Sequence, residues 1–292
     1  MLVGFAPGGL LDVVARMVAR DVRGYASSFI VENRPGAGGR LALAALKSAP
    51  SDGSVMVLTP ASMVVLYPHL YRKLSYDVFE DLAPVAAVCD FPFLLTVGPL
   101  VPSDVRTLAE LVQWCRAHPS LASYGTAAAG SMLHFTGVGL ARAASFEFVH
   151  VPYGGPGGIQ DLAGGRIAAT IYPLGTALPH VQSGRIRALA TTGRTRVRAL
   201  PDVPTVREAG FPTLEATEWF GVFAPSRTPP NMLGRLNAAI GEAVRTEGFE
   251  SGLAKLSVDS AFSSPTQFAQ RLKTEYDQWA PIVRASGFTP ED

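Results

Sequence analysis

Charge of either sign is scarce in this chain. Only 17% of its 292 residues are Asp, Glu, Lys or Arg, and 25 basic against 24 acidic residues leave a formal net charge of +1. So balanced a surface offers no electrostatic footprint to a nucleic acid or an acidic membrane. Cysteine is nearly absent as well. Cys89 and Cys115 are the two in the chain, and their spacing suits neither a CxxC redox pair nor a zinc site. They read as two buried thiols, or as one disulfide if the compartment is oxidising. Long hydrophobic runs are missing too. Mean hydropathy is high at +0.21, yet a stretch such as "VMVLTPASMVVL" is broken by Thr, Pro and Ser, short of the roughly 20 apolar residues of a membrane helix. The reading is a soluble globular protein. No signal segment is visible after Met1-Leu2-Val3, which says nothing of what precedes these residues in the natural product.

The templates of common enzymes are also wanting. No G-x-S-x-G elbow, G-x-G-x-x-G fingerprint or G-x-x-x-x-G-K-[ST] loop occurs, so neither a serine nucleophile nor a nucleotide phosphate has its usual cradle. His69, His118, His150 and His180 are scattered without H-x-x-x-H spacing, and no metal or other cofactor is expected.

What the chain has in plenty is glycine and proline, 29 and 23 residues, punctuating alternating strand and helix patterns. "FIVENRP", "SVMVLTP", "RIAATIYP" and "IRALATTG" read as strands, and "DLAPVAAVCDFPFLLTVGP" as a pair of them. "TLAELVQWCRAHP" reads as a helix with Thr107 as N-cap and Glu110 completing a capping box. Two helices, "NMLGRLNAAIGEAVRT" and "PTQFAQRLKTEYDQWAPIVRASG", fill the C-terminal third. Alternation of this kind predicts an α/β protein with a largely parallel sheet. Phe91, Phe93, Tyr153 and Trp219 fall at strand ends or turns and are expected to pack in the core.

Three strand–turn–helix junctions stand out: Pro7-Gly8-Gly9, Gly130-Ser131 and Gly154 to Gly158. In open α/β sheets ligands sit at the carboxyl ends of strands, where helix N-termini present unpaired N–H groups and partial positive charge. Such junctions suit an anion. Asp12, just inside the first helix, either complements the helix dipole or meets a ligand hydroxyl or amine. Ser131 and His134 share one helix face. Ser131 reads as an N-cap or anion ligand rather than a nucleophile, and His134 as a ligand donor or a satisfied structural histidine.

The ordered motifs "VGFAPGGLLDVVAR", "VENRPGAGG", "LSYDVFEDLAPV", "YGTAAAGSMLHFTG", "VPYGGPGGIQDLAGGRI" and "LPDVPTVREAGFP" resemble, over nearly the whole chain, the Bug family of periplasmic solute-binding proteins associated with tripartite tricarboxylate transporters. The resemblance implies a two-lobed periplasmic-binding-protein fold, type II-like, with a central cleft and two crossover strands. Pro- and Gly-bearing segments at 97–105 and 220–230 place the lobes at 1–100 plus 223–292 and at 101–222. It further implies a receptor, not an enzyme, that captures a small carboxylic acid in the periplasm as a monomer and delivers it to membrane transporter subunits. Carried over, Phe5, Ala6, Pro7, Gly8 and Gly9 form one jaw of a carboxylate clamp and Gly130, Ser131 and His134 the other. Gly155 to Gly158, including Gly157 and Gly158, and Asp161 face the rest of the ligand.

Departures from the family pattern carry a further expectation. Leu11 stands where relatives often have Ser or Thr, Arg40 where Asn is common, and Tyr67-Pro68 where Asn-Pro is common. The Lys or Arg that commonly follows the "PY" of Pro152-Tyr153 is missing. These changes point to a ligand less polar than an amino acid or citrate, such as an aromatic or short aliphatic carboxylate, with Arg40 as a candidate second anion contact. Two other classes stay open on the sequence alone: a sensor that presents its liganded form for signalling, and an α/β enzyme acting on a carboxylate or phosphate.

Overall fold

The computed structural model describes residues 1–153 and 155–286. Residues 287–292, counted above with the first lobe, lie outside them. In chain order the elements are β1 (Leu2–Val3), α1 (Leu10–Asp21), β2 (Glu32–Asn33), α2 (Arg40–Lys47), β3 (Val57–Pro60), α3 (Tyr67–Leu70), β4 (Leu82–Val97), α4 (Leu108–Ala117), β5 (Ser123–Thr126) and α5 (Met132–Ala143). There follow β6 (Val149–Pro152), α6 (Gly157–Ala163), β7 (Ala169–Pro173), α7 (Leu174–Gln182), β8 (Arg187–Thr191), β9 (Thr217–Pro225), α8 (Pro230–Val244), α9 (Glu247–Lys255), β10 (Asp259–Ser260) and α10 (Pro265–Ser286). The α/β class is as expected. The chain divides into two compact units, residues 1–90 with 219–286 and residues 91–218.

In the first unit β1 pairs in parallel with β2 (Leu2↔Glu32) and β3 (Leu2↔Val57), and β9 closes antiparallel on β3 (Val57↔Phe223). Helix α1 places Leu11, Val14, Ala15 and Val18 on its buried face, the i, i+3, i+4, i+7 stripe of an amphipathic helix. That face packs against α8 and α9. Trp219, Phe223 and Phe268 form an aromatic cluster, with Trp219 edge-on to Phe268 at 5.0 Å.

In the second unit the later half of β4 pairs antiparallel with β7 (Leu94↔Tyr172) and with β8, while β5 pairs in parallel with β6 and β7. Leu94, Ile159, Leu162, Ile167, Tyr172 and Leu178 pack as its core. Thr107 and Glu110 make the capping box their spacing requires.

Two sequence readings need correction. The sheet is mixed rather than largely parallel, with β9 antiparallel on β3 and β7 and β8 antiparallel on β4. "DLAPVAAVCDFPFLLTVGP" is a single 16-residue strand, not a pair. Proline accepts extended backbone, and the strand changes partner rather than direction: β10 at Cys89–Asp90, then β7 and β8 from Phe93 onward. The compact units divide at 90/91 and 218/219, inside β4 and β9, beside the expected lobe limits of 100/101 and 222/223. Cys89 and Cys115 are both free and buried. Burial pushes both thiols up, Cys115 to about 12.

On the first unit's side, Asp90 and Trp219, the residues at the two crossings, are held by one helix. Arg271 of α10 donates to both oxygens of Asp90 at 2.9 and 3.1 Å and to Glu275 at 2.7 Å, and Glu275 accepts the Trp219 indole N–H at 2.7 Å. Replacing Arg271 by Met leaves two half-buried carboxylates without their cation. It should destabilise the protein by about 1–3 kcal/mol, read as a lower urea midpoint; an unchanged midpoint would show that the network contributes nothing.

Candidate functional site

The candidate junction of the first unit grows from the end of β1. Gly4 is buried against the backbone of Gly39; a Cβ on it would come within 2.7 Å of the Gly39 carbonyl oxygen. The chain then turns outward. Phe5 is half-buried, and Ala6, Pro7, Gly8 and Gly9 are exposed. Gly8 sits at φ 84, in the left-handed region. Gly9 is the N-cap of α1 with extended backbone and no side-chain cap, so the first-turn amides of this helix have no side-chain acceptor from its N-cap.

This loop is held from behind. Asp12, 3% exposed, accepts the Gly8 N–H and the Arg16 Nε–H on one oxygen, both at 2.9 Å, and the Asn33 side-chain N–H on the other at 2.8 Å. Asn33 gives its second N–H to the Phe5 carbonyl at 3.0 Å and accepts from Arg16 at 3.1 Å. Burial alone would raise the Asp12 pKa, but the donors Arg16, Gly8 and Asn33 outweigh it and the carboxyl titrates below its ordinary value. The structure therefore gives Asp12 the work of holding the loop, with both oxygens occupied inside the protein.

The candidate junction of the second unit grows from the end of β5. Gly130, at φ 68, turns the chain into α5. Ser131 caps that helix: its hydroxyl accepts the His134 N–H at 3.3 Å and donates to the Ala128 carbonyl at 2.7 Å. His134 accepts the Gly130 N–H on Nδ1 at 3.2 Å, which leaves its proton on Nε2. Its ring stacks on His150 with centroids 3.9 Å apart and planes at 17°. Burial lowers the His134 pKa to about 4. Burial, and then the neighbouring His134, lowers that of His150 to about 3. Both rings are neutral near pH 7.

At the third junction Gly154 lies outside the described residues. Gly157 is exposed, whereas Gly158 is buried against Tyr153 and Tyr172. Tyr172 donates to the Gly155 carbonyl at 2.7 Å. Asp161 is engaged on both oxygens, by Arg166 at 2.6 Å and by the Tyr153 hydroxyl at 2.9 Å. Arg166 first, then Tyr153, holds its carboxyl below the usual range.

Several expectations drawn from the family pattern change in this light. Leu11 is in the core of the first unit, 5% exposed, because it lies on the inner stripe of α1, so it does not mark the loop's surface. Tyr67 is likewise buried. Arg40 is committed locally, its guanidinium 3.8 Å over the Tyr71 ring and its Nε–H on the Ala37 carbonyl at 2.8 Å. The residues that sequence reasoning missed are the supports: Arg16, Asn33, Tyr124, Thr126 and His150. Asn33 had a signal in "VENRPGAGG", but only the parallel register Val3↔Asn33 carries it to the loop 28 residues earlier.

The Asp12 carboxylate is charged in the folded state at pH values where the unfolded chain has begun to protonate. Its contribution is therefore complete above the unfolded pKa and lost as pH falls through the folded one. Asp12→Asn should cost about 1–3 kcal/mol near neutrality, and its unfolding midpoint should fall less than the wild type's between pH 5 and pH 2. Parallel acid profiles for the two proteins would remove Asp12 as the loop's anchor.

Residues 14–288 match the model of the tripartite tricarboxylate transporter family receptor. The protein BugT of Bordetella pertussis is 33% identical over 290 residues, 98% of this chain and 88% of BugT. Rpa4515 of R. palustris, solved with adipate, superposes with a TM-score of 0.90 at 29% identity, covering 99% of this chain and 97% of that one. MatC of Rhodopseudomonas palustris, solved with bound malate, gives 0.84 at 28% identity over 97% of each chain. The fold is that of these periplasmic binding proteins, and the chain belongs to the family of tripartite tricarboxylate transporter receptors.

Proposed function

We propose that this receptor binds a small carboxylic acid in the periplasm, acting as a monomer that delivers it to membrane transporter subunits. The Phe5–Gly9 loop is the anion-binding element of the first unit, and the Gly130–His134 helix start is that of the second. The observation that carries this reading is the first junction: an exposed glycine turn at an uncapped helix start, fixed from behind by a buried carboxylate whose oxygens are already taken. Amides arranged in this way suit an anion and cost little conformational entropy on binding. Adipate and malate on the two structural relatives are carboxylates.

The ligand is expected to carry few polar groups beyond its carboxylate ends, and an aromatic or short aliphatic acid fits best. Support comes from the cations around the junctions. Arg16 is on Asp12, Arg166 on Asp161 and Arg40 on Tyr71, so none of the three is offered to a second strongly charged group.

A thermal-shift panel on protein freed of co-purified ligand tests this. Adipate, malate, citrate, aspartate, benzoate and nicotinate should separate into stabilising and silent acids. A bound acid at about 100 times its dissociation constant adds about 2.7 kcal/mol of stability. Gly9→Val should abolish the shift without unfolding the protein, because a Cβ at Gly9 meets only the Ala6 carbonyl oxygen, at 3.7 Å. Citrate or aspartate outranking the less polar acids would overturn the preference. A Gly9→Val protein that binds like wild type would overturn the site.

A further inference from the structure

The His134–His150 stack belongs to a closed circuit of contacts in the second unit. Strand β6 runs parallel to β5 with His150 opposite Tyr124, so the two rings stand on one face of the sheet. Tyr124 lies so close to α5 that a Cβ at Gly137 would collide with its ring, and its hydroxyl donates to the His134 carbonyl at 2.9 Å. His150 stands beside it, 5.1 Å from the Tyr124 centroid and 3.9 Å from that of His134.

The hydrogens of this circuit can be placed from the partners alone. The Thr126 hydroxyl lies 3.1 Å from the Ala128 carbonyl, which can only accept, and 2.8 Å from His150 Nε2. Its single proton goes to the carbonyl, so the imidazole donates and the His150 proton is on Nε2. Ser131 donates to the same Ala128 oxygen and accepts from the His134 backbone, and Gly130 donates to His134 Nδ1. The path thus runs from His150 through Thr126, Ala128 and Ser131 to His134, and the ring stack closes it. Rotation of the His134 ring would break the Gly130 bond and the stack together.

The geometry points to His150 as a positioning residue: by stacking on His134 and bonding to Thr126, it fixes the plane and tautomer of His134 and the 127–131 turn for the bound carboxylate. This deepens the carboxylate-receptor reading and rests on it for the ligand. It also accounts for a polar ring on this strand, where an aliphatic side chain could cover Tyr124 but would leave the Thr126 hydroxyl oxygen without a donor.

The test uses the whole chain with nitrogen-15 in its histidines, and adipate as probe. In wild-type protein at pH 7, His134 and His150 should each show separated resonances of a neutral Nε2–H tautomer. His150→Ala should draw the His134 pair toward the averaged position of a freely exchanging ring, and adipate affinity should fall about three- to tenfold. His150→Phe returns a flat ring to the stack but no donor to Thr126, so it should restore the His134 pair while recovering only part of the lost affinity. Unchanged His134 resonances in His150→Ala, or equal affinity losses in the Ala and Phe variants, would overturn the inference. Because the nitrogen spectra of the free protein report the positioning directly, failure of wild-type protein to bind any acid of the panel counts against the receptor reading and not against His150.

Discussion

A loop that is to offer backbone amides to an outside anion can commit few of them to its own support, so its shape has to be imposed from behind. In the first unit that constraint is met by one buried carboxylate. Asp12 takes a proton donor from the loop itself, one from the helix and one from the neighbouring strand, which is enough to offset its desolvation. Its place in the first turn of α1 adds favourable interaction with the helix dipole. Because Arg16 neutralises it, the anchor does not cancel the field that a ligand anion meets. The parallel pairing of β1 with β2 matters here chiefly because it delivers Asn33, whose amide bonds to both Asp12 and the Phe5 carbonyl.

The second unit meets the same constraint with neutral groups. Ser131, Thr126 and the two imidazoles brace the 127–131 turn without a formal charge, and burial keeps both rings unprotonated. Charge is spent sparingly in both units, consistent with a chain only 17% charged. On the proposed reading, attraction for an anion would come from oriented amides and helix ends rather than from the committed cations. Such a field is short-ranged and directional, which favours recognition of a carboxylate group over general attraction of negative molecules.

The pattern of glycine turns, helix starts and strands was legible because each is written locally. Pro7-Gly8-Gly9, Gly130-Ser131 and the Thr107–Glu110 capping box depend on residues a few positions apart. The supports were not legible, because register between distant strands creates them. Asn33 meets Phe5 across 28 residues and His150 meets Thr126 across 24. Domain punctuation falls beside the division for a related reason. Prolines and glycines mark where a strand ends, whereas β4 and β9 pass from one unit to the other without ending. Asp161, beyond a glycine turn, likewise depends on partners several positions away: its carboxylate is engaged by Tyr153 and Arg166.

The departures from the family pattern now carry a different meaning. Leu11, Tyr67 and Arg40 were grouped as changes that strip polarity from the binding surface, yet Leu11 and Tyr67 are buried and Arg40 lies on Tyr71. Their effect is on the scaffold. Tyr67 donates its hydroxyl to the Gly38 carbonyl at 3.3 Å, in the turn that lies backbone to backbone against Gly4. The Tyr67 ring thereby reaches the support of the same loop by packing as well as by a hydrogen bond. Its burial bears on how rigidly the Phe5–Gly9 loop is seated. The chemistry of the ligand is left to the exposed amides and to the cations already committed elsewhere. A loop seated by packing on one side and by Asp12 on the other has little freedom to reshape around a bulkier or more highly charged guest, so on the proposed reading selectivity in the first unit would follow from stiffness as much as from the groups displayed.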